Sequence, residues 1–142
     1  MGKHGVGPLG VGTLVVKPER HVIHVAVLTG GEPAVMGRVL HSAAQVITDI
    51  LETDQVYISL WSHADRRPGA IRYVVQPVDQ AATARHGSQG PKLQALMFEN
   101  DEPPDPAAVE EFASHARERW NTAKLTSVAF TGREIGAEEQ GV

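Results

Sequence analysis

Between Thr29 and Leu51, apolar side chains recur at Val35, Met36, Val39, Leu40, Ala43, Val46, Ile47, Ile50 and Leu51. This is the i, i+3, i+4, i+7 spacing of one buried face, and it predicts a single long helix. Thr29 with Glu32 three residues on has the form of a capping box at the helix start. Gly37 weakens the helix locally without overruling the stripe. A helix with one apolar face must bury it against another element, and the following residues supply a sheet. In Gln55 to Trp61, Val56, Ile58 and Leu60 alternate with Tyr57, Ser59 and Trp61, which predicts a strand. Ala70 to Val78 reads as a second strand. Ser62 to Gly69, with Asp65, Arg66, Arg67, Pro68 and Gly69, reads as the polar turn of an antiparallel hairpin.

The remaining signals are shorter. Thr13 to Val16 is a β-branched strand candidate, and Lys17-Pro18-Glu19-Arg20 a turn. His21 to Leu28 reads as extended chain or a helical turn. Gly87 to Pro91 is a loop, and Lys92 to Phe98 one short helix. Asp105-Pro106 opens a second good helix, with Asp as N-cap and Pro in the first turn. Its stripe is Val109, Phe112, Ala113, Ala116 and Trp120. Leu125 to Phe130 is a final β-like run. The fold class expected is α+β, an antiparallel sheet with one long helix and a C-terminal helix. A chain of 142 residues fits one domain. Residues 1–12 read as a flexible lead-in, 13–130 as the domain, and 131–142 as a flexible tail.

Composition narrows the function classes. A formal net charge of -4 argues against a protein that coats nucleic acid. It leaves room for a local basic pocket. The chain has no cysteine, so disulfides and thiolate metal sites are impossible, and a cytoplasmic location is the simplest expectation. No secretory h-region is visible at the start. No apolar run approaches the roughly 20 residues that span a bilayer, so no membrane partner is expected.

The stretch Gly12-Thr13-Leu14-Val15-Val16-Lys17-Pro18-Glu19-Arg20-His21 is an apolar strand followed by Pro, a basic residue and His. With Leu28-Thr29, Glu32, the helix to Leu51 and the strands Val56 to Trp61 and Ala70 to Pro77, it resembles the histidine triad (HIT) superfamily of nucleotide-phosphate enzymes. The resemblance spans roughly Gly12 to Pro77, with a weaker echo in the C-terminal helix. It implies a HIT-like antiparallel sheet, a homodimer, and a site for a nucleotide or another phosphorylated small molecule.

The family's signature is His-φ-His-φ-His-φ-φ before Pro. Counted back from Pro77, its histidine positions fall on Ala70, Arg72 and Val74. The family's nucleophile is the middle histidine, and a guanidinium, protonated at any working pH, cannot replace it. A register two residues later puts Gln76 on the third position but still supplies no nucleophile. The N-terminus departs as well, because only eleven residues precede Gly12, where the family has a hairpin that helps form the base pocket.

Residues two apart on a strand share a face, so Ala70, Arg72, Val74 and Gln76 point one way. On a pocket face, Arg72 and Gln76 would present a phosphate-binding fork and an amide. On a wet edge, Arg72 would bind nothing. His21 and His63 are the candidate acids or bases, and Arg66 overhangs the site at the hairpin tip. His63 reads first as a turn histidine in water, and Asp65, Arg66 and Arg67 first as a solvated tip. His21 and His24 have H-x-x-H spacing, but three ligands are normally required and no second cluster is present, so no metal is expected. No Gly-rich phosphate loop, Ser-His-Asp pattern or carboxylate pair stands out, and no cofactor is implied.

Two functions remain open, besides a structural dimer with an empty site. One is a HIT-like binding protein that has lost covalent nucleotidyl chemistry. The other is an enzyme of altered mechanism, a hydrolase or transferase acting on a phosphate ester or an unrelated small molecule.

Overall fold

The long apolar stripe folds as expected into helix α1, Glu32–Leu51, which buries Met36, Val39, Ala43, Val46 and Ile47. The computed structural model describes residues 10–64, 66–100, 104–120, 128–130 and 133–135. Before α1 come strand β1, Leu14–Val16, and a 3-10 turn, Val25–Val27. After it come β2, Gln55–Ala64, and β3, Arg67–Val78. Helices α2, Gln80–His86, α3, Gly90–Asn100, and α4, Pro106–Trp120, follow. Strands β4, Val128–Phe130, and β5, Arg133–Ile135, complete the order. β5 falls among the residues that the sequence reads as a tail.

The start of α1 differs from the expected cap. The helix begins at Glu32, with Gly31 at the N-cap position and no side-chain capping bond from it. Half of the capping box is nonetheless present. The Glu32 carboxylate accepts the Thr29 N–H at 2.8 Å, while the Glu32 N–H donates to the Thr29 carbonyl at 3.0 Å. At the other end Glu52 is left-handed (φ 53°) and its N–H closes the helix onto the Thr48 carbonyl.

The sheet has the order β2-β3-β1-β4-β5, and every neighbouring pair is antiparallel. The hairpin turn is tighter than the polar stretch suggested. Ala64 pairs with Arg67, which leaves two loop residues, and Arg66 takes the positive φ (69°) that a two-residue loop needs. Ser62 to Ala64 and Arg67 to Gly69 therefore belong to the strands, with an irregularity between Trp61 and His63. β1 pairs only with Tyr73 to Val75, so Pro68 and Pro77, which lie opposite His63 and Val56 of β2, do not interrupt that ladder. Gly12 sits at φ 93°, and a Cβ there would run into Leu51 and Pro77. That crossing of chain start and α1 end requires glycine.

Each sheet face carries its own helices. Leu14, Val16 and Val75 share one face and pack with α1 and with Phe112, Ala113, Ala116 and Trp120 of α4. Asp105 caps α4, its carboxylate accepting the Ala107 N–H at 3.2 Å. On the opposite face Val78 and Tyr57 pack with Ala82 of α2 and with Leu93 and Met97 of α3. Val74 and Val75, adjacent in sequence, are both buried, which only a sheet covered on both sides allows. No helix among the described residues is long and apolar enough to cross a membrane.

Candidate functional site

β3 carries Ala70, Arg72 and Val74, the positions the resemblance assigns to the histidine motif, and their surroundings differ. Arg72 lies opposite Trp61 of β2, so the two side chains share a face. The Arg72 guanidinium lies over the Trp61 ring, 5.8 Å from its centroid. It donates to the Ala70 carbonyl at 3.2 Å and to the His63 carbonyl at 3.0 Å. Trp61 in turn meets Phe98 of α3 edge to face at 5.2 Å. The fork read as a phosphate ligand thus ties the distal end of the hairpin together. Val74 is buried. Gln76 is 2% exposed and accepts from the Gln94 amide of α3 at 3.1 Å, so its polarity is satisfied inside the protein.

The Ala70 end of this strand borders an open pocket. There the turn Lys17 to Val22 faces Ala70 and Ile71 across a pocket of about 210 Å³. The Ile71 N–H donates to the Val22 carbonyl at 2.7 Å, and Val22 is buried, so the turn is fastened to β3. His21, which is exposed, and Lys17 both line the pocket. The structure therefore brings His21 and Ala70 together. Arg72, Gln76, His63 and Arg66 do not line this pocket. His63 is exposed on β2, and Arg66 is exposed in the hairpin loop.

Arg20 lines the same pocket, and its charge is largely answered from within the fold. Its Nε and one Nη donate to the two Glu32 carboxylate oxygens at 2.7 and 3.0 Å. That Nη also reaches the Val27 carbonyl at 2.8 Å. This fork holds the Glu32 carboxyl below the usual glutamate range, helped by the Thr29 N–H. The same hydrogen bonding raises the Arg20 guanidinium further. Arg20 is exposed and Glu32 half-buried, so the clamp shapes the turn more than it stabilises the whole chain. Sequence reading placed Glu32 in a cap and missed its partner Arg20, because nothing in a linear pattern marks two residues twelve apart as neighbours.

His24 does not join His21. Its Nδ1 accepts the Ala26 N–H at 3.0 Å and caps the 3-10 turn. Among the described residues no group of three or more His, Asp or Glu side chains could hold a metal ion. No protein-family model matches the chain, and no curated protein is significantly similar to it.

Proposed function

We propose that this is a HIT-like protein that binds a phosphorylated small molecule, such as a nucleotide, without covalent nucleotidyl chemistry. The observation that carries the reading is the pocket where Lys17 and His21 face Ala70, the first motif position on β3. A lysine is a point charge suited to phosphate, and an imidazole beside it adds a donor. The pocket is smaller than the roughly 300–1,000 Å³ typical of whole-ligand sites. It suits a phosphoryl group with the remainder of the ligand lying outside. The order strand, long helix, antiparallel hairpin and later helix supports the HIT-like part by analogy of fold.

A thermal-shift screen of nucleotides, sugar nucleotides and phosphorylated metabolites, followed by calorimetry, tests this. Lys17→Ala and His21→Ala should each weaken the best binder by roughly tenfold, the loss expected for one charge-assisted bond. Equal binding by both variants and the parent would remove the pocket from consideration. The altered-enzyme reading draws on the same His21, placed at the pocket as an acid or base. Turnover of a phosphate ester that is lost in His21→Asn would favour it.

The proposal includes a homodimer formed along β2. That strand is an edge of the sheet, it carries no Asp, Glu, Lys or Arg from Gln55 to Ala64, and Ile58 and Leu60 are 47% and 41% exposed. Edges of this kind are usually guarded by charge or by a covering element. An uncharged strand can pair antiparallel with its own copy without repulsion. Light scattering at roughly tens of micromolar should give the mass of two chains, and Ile58→Lys with Leu60→Lys the mass of one. A monomeric parent would sink the dimer.

A further inference from the structure

A larger hollow lies away from the phosphate pocket, where the start of β2 and the end of β3 meet α2 and the loop into α3. Its volume is about 840 Å³, within the range of roughly 300–1,000 Å³ found for small-molecule sites. Specific bonds hold its walls. Thr53 Oγ1 donates to the Val78 carbonyl at 2.7 Å and lies within 3.0 Å of the Gln55 carbonyl, which locks the two strands together. The Asp79 carboxylate accepts the Ala82 N–H at 2.9 Å and sets the start of α2. The Tyr57 hydroxyl accepts the Gly90 N–H at 2.9 Å and pins the loop that closes the groove. These bonds fix the walls of the groove before a ligand arrives.

The lining defines what the groove can accept. Gln55, Gln80 and Gln89 each offer a carbonyl acceptor and an NH₂ donor. Asp54 adds one carboxylate, and Thr83 and Tyr57 add hydroxyls. The Thr83 hydroxyl donates to the Asp79 carbonyl at 3.3 Å, so towards a ligand it acts as an acceptor. Among the described residues no Lys, Arg or His lines the groove, so a phosphate would meet a carboxylate with no counter-charge. Val78 and Tyr57 supply the apolar part of the surface. Amides that both donate and accept, and a carboxylate that accepts, match ligand hydroxyls, which can do both. We propose that this groove is a second site, independent of the phosphate pocket, for a neutral polyhydroxylated ligand of the saccharide class.

The full chain, labelled with ¹⁵N, is titrated with maltose, with cellobiose and separately with inorganic phosphate. At least one saccharide should shift the amide signals of Gln55, Thr83, Gln89 and Gly90 saturably, and phosphate should leave them in place. Asp54→Ala and Gln80→Ala should each weaken saccharide binding about tenfold, one polar contact's worth. Both positions are exposed, and the same spectra report whether each variant is folded. Gln89→Ala, on the facing loop, repeats the test if either is not. Lys17→Ala should leave saccharide binding unchanged, which separates the two sites. Three results each overturn the proposal: no saturable shift with either saccharide, phosphate moving the same signals, or folded groove variants that bind like the parent.

Discussion

Phe112→Ala is expected to lower the free energy of unfolding by about 3–5 kcal/mol, the cost of emptying a buried phenylalanine site. Phe112 is 4% exposed and belongs to the core that joins α4 to α1 and to β1 and β3. Its removal loses the transfer free energy of the ring and leaves a void among Ala113, Ala116 and the α1 stripe. These neighbours are on rigid helices, and the alanines are too small to swing into the gap. A domain of this size has a total stability of roughly 5–15 kcal/mol, so one substitution consumes about a fifth or more of it. Urea denaturation should show a lower midpoint with an unchanged slope. A loss under about 1 kcal/mol would mean that α4 is not part of the cooperative core, and the packing described for it would be wrong.

The same core explains which elements could be seen in the sequence. α1 was legible because one layer of sheet covers one stripe, so its burial pattern keeps the helical period. α4 was legible from its Asp-Pro start and its stripe, with Val109 only half-buried. α2 was not, since Ala82 is its single buried residue and a run of alanines carries no period. Its two ends were nonetheless written in the chain, as Asp79 capping the start and Gly87 left-handed at φ 63° after the end. The second helical layer was hidden for another reason. The face of Ala70, Arg72, Val74 and Gln76 reads as a pocket face or a wet edge, whereas Val74 and Val75 side by side signal burial on both sides.

The site was half legible on the same grounds. His21 and Ala70 meet because the turn after β1 is fastened to β3, a consequence of strand order that the linear spacing cannot express. Arg72 was placed on the right strand and face, but its partners come from β2, across a hairpin whose turn is shorter than its polar residues implied. A guanidinium that bonds two carbonyls and stacks on a tryptophan has a structural occupation, so its removal should cost folding as well as any binding.

Incubation with adenosine phosphoramidate or a dinucleoside polyphosphate should leave no nucleotidyl group on the protein. On the proposed HIT-like reading, covalent transfer needs a neutral imidazole nitrogen at the middle motif position, which that reading puts at Arg72. A guanidinium has no lone pair to offer. That of Arg72 is also engaged with the carbonyls of Ala70 and His63 and with Trp61. Ala70 and Val74 at the flanking positions supply no imidazole, and Val74 is buried. Arg72→His alone should not create the activity. The new ring would lie against Trp61, which Phe98 of α3 abuts, and the two carbonyls would lose their donor. Intact-mass spectrometry after quenching reads the outcome directly. An adduct on the parent chain would overturn the non-covalent reading, and its disappearance in His21→Asn would identify the histidine beside Ala70 as the nucleophile in a rearranged site.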